Sequence, residues 1–266
     1  MKFIHNALRV VLVFSSACLA VAQTAQHAFG GHPDISGIWQ AVNTANWNLE
    51  DHSAEQAPVW ELGAIGVVPP GQGVVEEGSI PYLPAALEKR KKNYVNRRTD
   101  DPEAKCYMGG IPRANYMPYP FQIVQSPQGI FFAYGFASAN RLVNMGKPVA
   151  AGSDSWMGTN NGHWENETLV VDVTGLNGLA WLDRSGNWAS DQVHVVERFT
   201  PVSHEVLNYE ATIEDPSVFA KSWKISMPLY RRVEKNAELL DFKCVEFAEK
   251  LIYGKYTDPP AAPSVK

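Results

Sequence analysis

Cysteine is scarce in this chain, with three in 266 residues. That rules out a cysteine-rich metal cage or a dense disulfide framework. A basic surplus is missing as well: the formal net charge is −5 and the pI near 5.8, so no electrostatic footprint for nucleic acid exists. No G-x-G-x-x-G follows a strand pattern, no phosphate loop appears, and neither H-E-x-x-H nor a G-x-S-x-G elbow occurs. Nicotinamide, flavin and nucleotide chemistries therefore lack their usual signatures, and the expected cofactor set is empty. Long apolar runs are missing beyond Val10–Ala22, so no transmembrane segment is expected in the mature protein. With 45% hydrophobic and 19% charged residues, the chain nevertheless has material for a sizeable core.

The N-terminus carries an address. Lys2 and Arg9 precede the apolar run, which ends in Ala20-Val21-Ala22. A basic start, a short apolar stretch and an A-x-A site make a secretory signal peptide over residues 1–22, leaving an exported, periplasmic or secreted, protein. The alternative is a lipoprotein, because Ser16-Ala17-Cys18 loosely resembles a lipobox. Cleavage after Ala22 leaves Cys106 and Cys244, an even pair in an oxidising compartment, and predicts one disulfide; two unpaired buried thiols are the alternative.

Residues 23–266 read as a single β domain. Gly37–Gln40 starts the first strand, and residues 41–81, rich in Gly, Pro and Asn, form an irregular excursion. Residues 83–98 make the one convincing helix, with Pro84 in its first turn. Its basic cluster, "EKRKKNYVNRR", reads as a solvated face, with contact to an anionic lipid or substrate as the alternative. From Pro120 onward the period is two: "FQIVQ", "GIFFAYGFA", "RLVNMG", "HWENETLVVDV" folded at Asn166-Glu167, "QVHVVERF", "VLNYEATI", "SWKISMPLYRR" and "LLDFKCVEF". About nine strands with mostly short links predict an all-β fold, an antiparallel β-barrel or a sandwich, with no parallel pairing.

Charged residues set among rings mark the candidate site. On Gln192–Phe199, Val193, Val195, Glu197 and Phe199 share a face, and a carboxylate on an apolar face needs a partner. Glu197 is read either as half of an ion pair with an arginine or as a general acid or base in a cavity. His194 lies on the opposite face, as a surface residue or a second catalytic candidate. His163 and Glu165 are two apart and share a strand face, a spacing compatible with a cupin-like metal pair if His194 or His204 supplied a third ligand; the expected metal set is nonetheless empty. Trp156 and Trp164 are hairpin packing or the rim of a site. In "LAWLDRSGNW", Asp183 sits between Trp181 and Trp188, as the cap of an Asx-type turn or the acid of a pocket. With Tyr134, Tyr116, Tyr119 and Arg113 these rings suggest an aromatic-lined cavity for a small apolar molecule.

Two resemblances rest on motifs. Asp34-Ile35-Ser36-Gly37-Ile38-Trp39 resembles the G-x-W first strand of lipocalin-like (calycin) barrels, which carry a packing arginine late in the chain, where Arg231 and Arg232 stand here. Most of the mature chain is similar to a group of uncharacterised exported bacterial proteins, through "PDISGIW", "DPEAKCYMGGIPR", "PYPFQIVQ", "GHWENETLVVDVTG", "WLDRSG" and "VVERF". That resemblance implies export and assigns no reaction. His163 departs from it, since the group more commonly has arginine there, so any chemistry at His163 would not be general to the group. The function expected from all this is a cofactor-independent exported isomerase, cyclase or lyase moving protons on an aromatic or apolar molecule. A non-catalytic binding protein and a cupin-like metal enzyme are the alternatives.

Overall fold

The computed structural model describes residues 29–55 and 67–254. The signal-peptide and lipobox expectations fall on residues 1–22 and lie outside the described residues. Nine strands close into a barrel in sequence order: β1 (Gly37–Ala41), β2 (Phe121–Ser126), β3 (Gly129–Tyr134), β4 (Asn140–Asn144), β5 (Thr159–Glu165), β6 (Thr168–Thr174), β7 (His194–Ser203), β8 (Val206–Glu214) and β9 (Trp223–Arg231). Closure comes from β1, which pairs antiparallel with β2 on one side and β9 on the other. A sandwich is thereby excluded.

Local sequence explains the hairpins. Asn166 turns β5 into β6 at φ 55, a left-handed conformation that asparagine adopts at little cost. The Ser126 hydroxyl accepts the Gln128 and Gly129 amides in the β2–β3 turn. Two expectations need correction. The β4–β5 pair is parallel, with Val143 opposite Asn160 and Asn144 opposite Asn161, so the barrel is mixed. The cause is the link of residues 145–158, which returns the chain to the end from which β4 set out; a parallel pair requires such a crossover. "LLDFKCVEF" forms no strand and, among the described residues, makes one bridge, Phe242 with Phe136. The β1–β9 pairing has already used both barrel edges, so no ladder remains for a tenth strand.

Inward-facing side chains fill the barrel. Trp39, Phe121, Ile123, Phe132, Val171, Val195, Phe199 and Leu229 are completely buried. The Trp39 indole donates to the Ile35 carbonyl (2.9 Å), and the Arg231 guanidinium lies 4.3 Å above its ring. Arg231 also donates to the Ser36 and His204 carbonyls, tying the end of β9 to the start of β1. Gly37, at φ 142, is required here because a Cβ would collide with that guanidinium.

The register places most of the long connections at one end of the barrel, called here the loop end: the excursion after β1, the segment before β2, the β6–β7 loop and the β8–β9 loop. The excursion follows the start of β9 through the Val75–Ile225 and Tyr82–Phe219 bridges, burying Leu49, Val75 and Ile80. Helix α1 (Pro84–Val95) follows, with Pro84 in its first turn, and then the short α2 (Arg97–Asp100). Part of the basic cluster packs on the β6–β7 loop: Lys89 Nζ sits 3.4 Å over the Trp188 ring, and Arg90 donates to Asn187. After β9 the described residues continue as a strap into a short helix, α3 (Ala248–Tyr253). The expected Cys106–Cys244 disulfide is present and fastens the strap to the segment before β2.

Candidate functional site

The barrel core contains one polar centre. Alternation on β7 sends Glu197 inward with Val195 and Phe199, and all three are completely buried. Glu197 forms an ion pair with Arg141 of β4 and accepts the Tyr209 hydroxyl (2.8 Å) and the Asn115 amide (2.5 Å). Tyr134 donates to Asn115 (2.9 Å), and Arg141 to Asn160 (2.9 Å). Burial opposes the Arg141 charge, but Glu197, Tyr134 and Tyr209 around it together outweigh burial and hold its pKa above the ordinary value. The Tyr209 and Tyr134 hydroxyls are pushed up by burial and stay neutral donors. Arg141 also stacks 4.4 Å over Phe132, and its Nε has no hydrogen-bond partner among the described residues.

A second cluster closes the loop end. Arg113 donates to both Asp101 oxygens (2.9 and 3.0 Å), to Glu103 (2.5 Å) and to Asn46 (2.9 Å). Arg184 grips Glu103 with two bonds (2.8 and 2.6 Å) and stacks 4.3 Å over Trp47. Burial would raise the Glu103 pKa, yet Arg113 and Arg184 outweigh it and bring it down to about 2. Asp183 is different. It is completely buried and accepts three N–H groups, from the Leu49 amide (2.9 Å), the Asn187 amide (3.1 Å) and the Asn187 side chain (2.6 Å), with no salt-bridging cation among the described residues. Burial pushes it up to about 6 against those hydrogen bonds. Its loop is a small hairpin: Trp181 bridges Trp188, and the Leu182 amide donates to the Asn187 carbonyl (2.6 Å). Tyr116 fixes that loop by donating to the Leu182 carbonyl (2.7 Å).

Rings surround two narrow clefts at this end. One, of ≈ 20 Å³, is lined by Trp156, Trp181, Ile111, Leu176 and Val193. Tyr107, half exposed, stacks on Trp156 at 5.2 Å. The other, of ≈ 10 Å³, is lined by Met117, Tyr119, Tyr134, Phe136 and Ala139. Each has room for about one water.

The remaining candidates lie elsewhere. His163 and Glu165 share a face, and it is the outer one: they are 59% and 47% exposed, bonded to each other (3.1 Å), with Arg198 also on Glu165. Trp164 stacks on His32 (4.9 Å). His194 sits outside the barrel between Asp172 (2.9 Å) and Glu214 (3.8 Å), and the His204 carbonyl holds Arg231. Among the described residues, no three His, Cys, Asp or Glu side chains are grouped to hold a metal ion.

No family model and no curated protein matches the chain. The site is therefore read from its own geometry. Sequence reasoning missed Arg141, Asn115, Tyr209 and Glu103. Arg141 carried a usable signal, since it alternates in phase with the buried Val143, just as Glu197 does with Val195. Asn115 carried none, because it lies in a 3₁₀ turn, Arg113–Asn115, with no periodicity.

Proposed function

We propose that this protein binds a small, uncharged aromatic or apolar molecule at the loop end of its barrel without transforming it. The observation that carries the reading is the pairing of the buried carboxylates. Glu197 is held by Arg141, Asn115 and Tyr209, Glu103 by Arg113 and Arg184, and Asp183 by Leu49 and Asn187. A general acid or base needs a free face toward substrate, and these groups spend theirs on the fold. Partly exposed rings such as Tyr107 and Trp156 are what remains for a ligand. Export fits a carrier role, and the disulfide suits an oxidising compartment, as does the likeness to exported bacterial proteins. Membership of the calycin barrels is part of the proposal, supported by Gly37-Ile38-Trp39 under Arg231; nine strands and the parallel β4–β5 pair depart from the eight-stranded up-and-down plan.

A titration tests it. Neutral aromatic probes are expected to quench tryptophan emission saturably, and Trp156→Ala is expected to weaken them about tenfold, the worth of one lost ring contact. Flat titrations across aromatic and aliphatic panels refute binding. The second reading is proton-transfer catalysis by Asp183, favoured by one observation: it is pushed up to about 6, so it holds both protonation states near neutrality. Turnover lost by a factor of about 10²–10⁴ in Asp183→Asn, with the fold intact, decides for that reading.

A further inference from the structure

The strap after β9 places one ring where a ligand ring would go. Phe242 rests against Tyr119 (centroids 4.5 Å apart) and Phe136 (5.9 Å), which stack on each other at 5.0 Å. The seat is firm and its occupant is not. Phe136 is buried, whereas Phe242 is 41% exposed and, flanked by the exposed Leu240 and Val245, belongs to no strand or helix. Among the described residues its backbone is tied down by the Phe136 bridge, whose Phe242 amide donates to the Gly135 carbonyl (3.0 Å). The ≈ 10 Å³ cleft at the same place has Tyr119, Phe136, Met117 and Tyr134 on its walls. Tyr134 in turn donates to Asn115 of the barrel's polar centre. The seat thus joins the surface to the interior.

We propose that the Tyr119–Phe136 seat is the ring-binding subsite of this protein, and that Phe242 is an internal stand-in which the ligand displaces. The inference rests on the binding function proposed above. The seat selects the ligand class. Its walls are rings and a thioether, and its side-chain polar groups are phenolic hydroxyls, with burial keeping the Tyr119 phenol protonated. It therefore takes a flat, uncharged aromatic compound, with room for a hydrogen bond to one hydroxyl or carbonyl. Cys106–Cys244 keeps the displaced strap beside the seat, two residues from Phe242, so Phe242 competes at the effective concentration of a short tether. Apparent affinity is then reduced by the fraction of molecules whose seat is open.

The test uses the oxidised mature protein and the neutral fluorophore N-phenyl-1-naphthylamine. With the seat filled in about nine molecules of ten, Phe242→Ala is expected to bind the probe about tenfold more tightly than the parent. Phe242→Trp, which refills the seat, is expected to match the parent, and Phe242→Leu to fall between. Adding Tyr119→Ala to Phe242→Ala is expected to abolish the gain. Equal probe affinity in Phe242→Ala and Phe242→Trp, both folded by circular dichroism, overturns the seat. If Trp156→Ala still weakens binding about tenfold in that case, the binding function stands without it. Absence of saturable binding by every variant, with the disulfide intact or reduced, overturns both.

Discussion

Glu197 and Arg141 neutralise each other inside the buried barrel core, and this makes their removal strongly unequal. Glu197→Gln leaves a guanidinium that cannot lose its proton, set against an amide that also donates. Leaving such a buried charge uncompensated costs about 3–5 kcal/mol. Arg141→Met leaves a carboxylate that still accepts from Tyr209 and Asn115, so its charge keeps two hydrogen-bond donors. Its cost is about 3 kcal/mol, at the lower end for a broken buried pair. Combining the two removes both charges and keeps an amide oxygen as acceptor for Tyr209; the remaining loss is the Arg141 bond to Asn160, worth about 1 kcal/mol. The double variant is therefore expected to be more stable than either single variant, with a coupling energy of about 3 kcal/mol or more. Urea unfolding followed by tryptophan emission reads all four proteins. For a chain of this size 3–5 kcal/mol corresponds to a midpoint shift of roughly 6–20 °C on heating. A double variant as unstable as the sum of the singles refutes the reasoning, because the two groups would then act independently.

The stability profile against pH has two opposed limbs. Asp183 is raised from 3.8 to about 6, so the folded state holds its proton longer, and stability on the order of 3 kcal/mol is lost as pH rises between those values. Glu103 is lowered from 4.5 to about 2, so stability on the order of 3 kcal/mol is present above pH 4.5 and lost as pH falls toward 2. Denaturant midpoints are expected to peak near pH 4–5, with Asp183→Asn flattening the upper limb only; a monotonic rise to pH 7 contradicts this. Trp39→Ala is expected to destabilise by about 3–5 kcal/mol in thermal unfolding, as deletion of a completely buried ring does. Reduction of Cys106–Cys244, which spans 138 residues, is expected to lower stability by up to about 5 kcal/mol in urea, and a fully reversible midpoint unmoved by reductant contradicts it.

The strand set was legible because alternation survives in single strands: Val195, Glu197 and Phe199 announce an inner face without any partner in view. The same alternation gave the phase of Glu197 and not its counter-ion, since pairing depends on which strands become neighbours. Direction was harder still. Nothing local distinguishes residues 145–158 as a crossover from a long hairpin loop, and that ambiguity hid the parallel pair. His163 and Glu165 were correctly placed on one face, but the face was undetermined, because the polar Asn160 and the side-chain-free Gly162 are the inward residues beside them. Asn115 and the Arg113 cluster reach the site from irregular backbone, where no period exists to read.

The joining of β1 to β9 fixes the order in which this molecule can be completed. A chain delivered N-terminus first presents Gly37–Ala41 long before its second neighbour exists, so the first strand waits for the last. The run from β5 to β9, all consecutive antiparallel neighbours, can associate in the meantime. Until Arg231 reaches Trp39, two strand edges stand open to neighbouring chains. The closing contact is therefore also the moment at which the molecule stops being prone to aggregate.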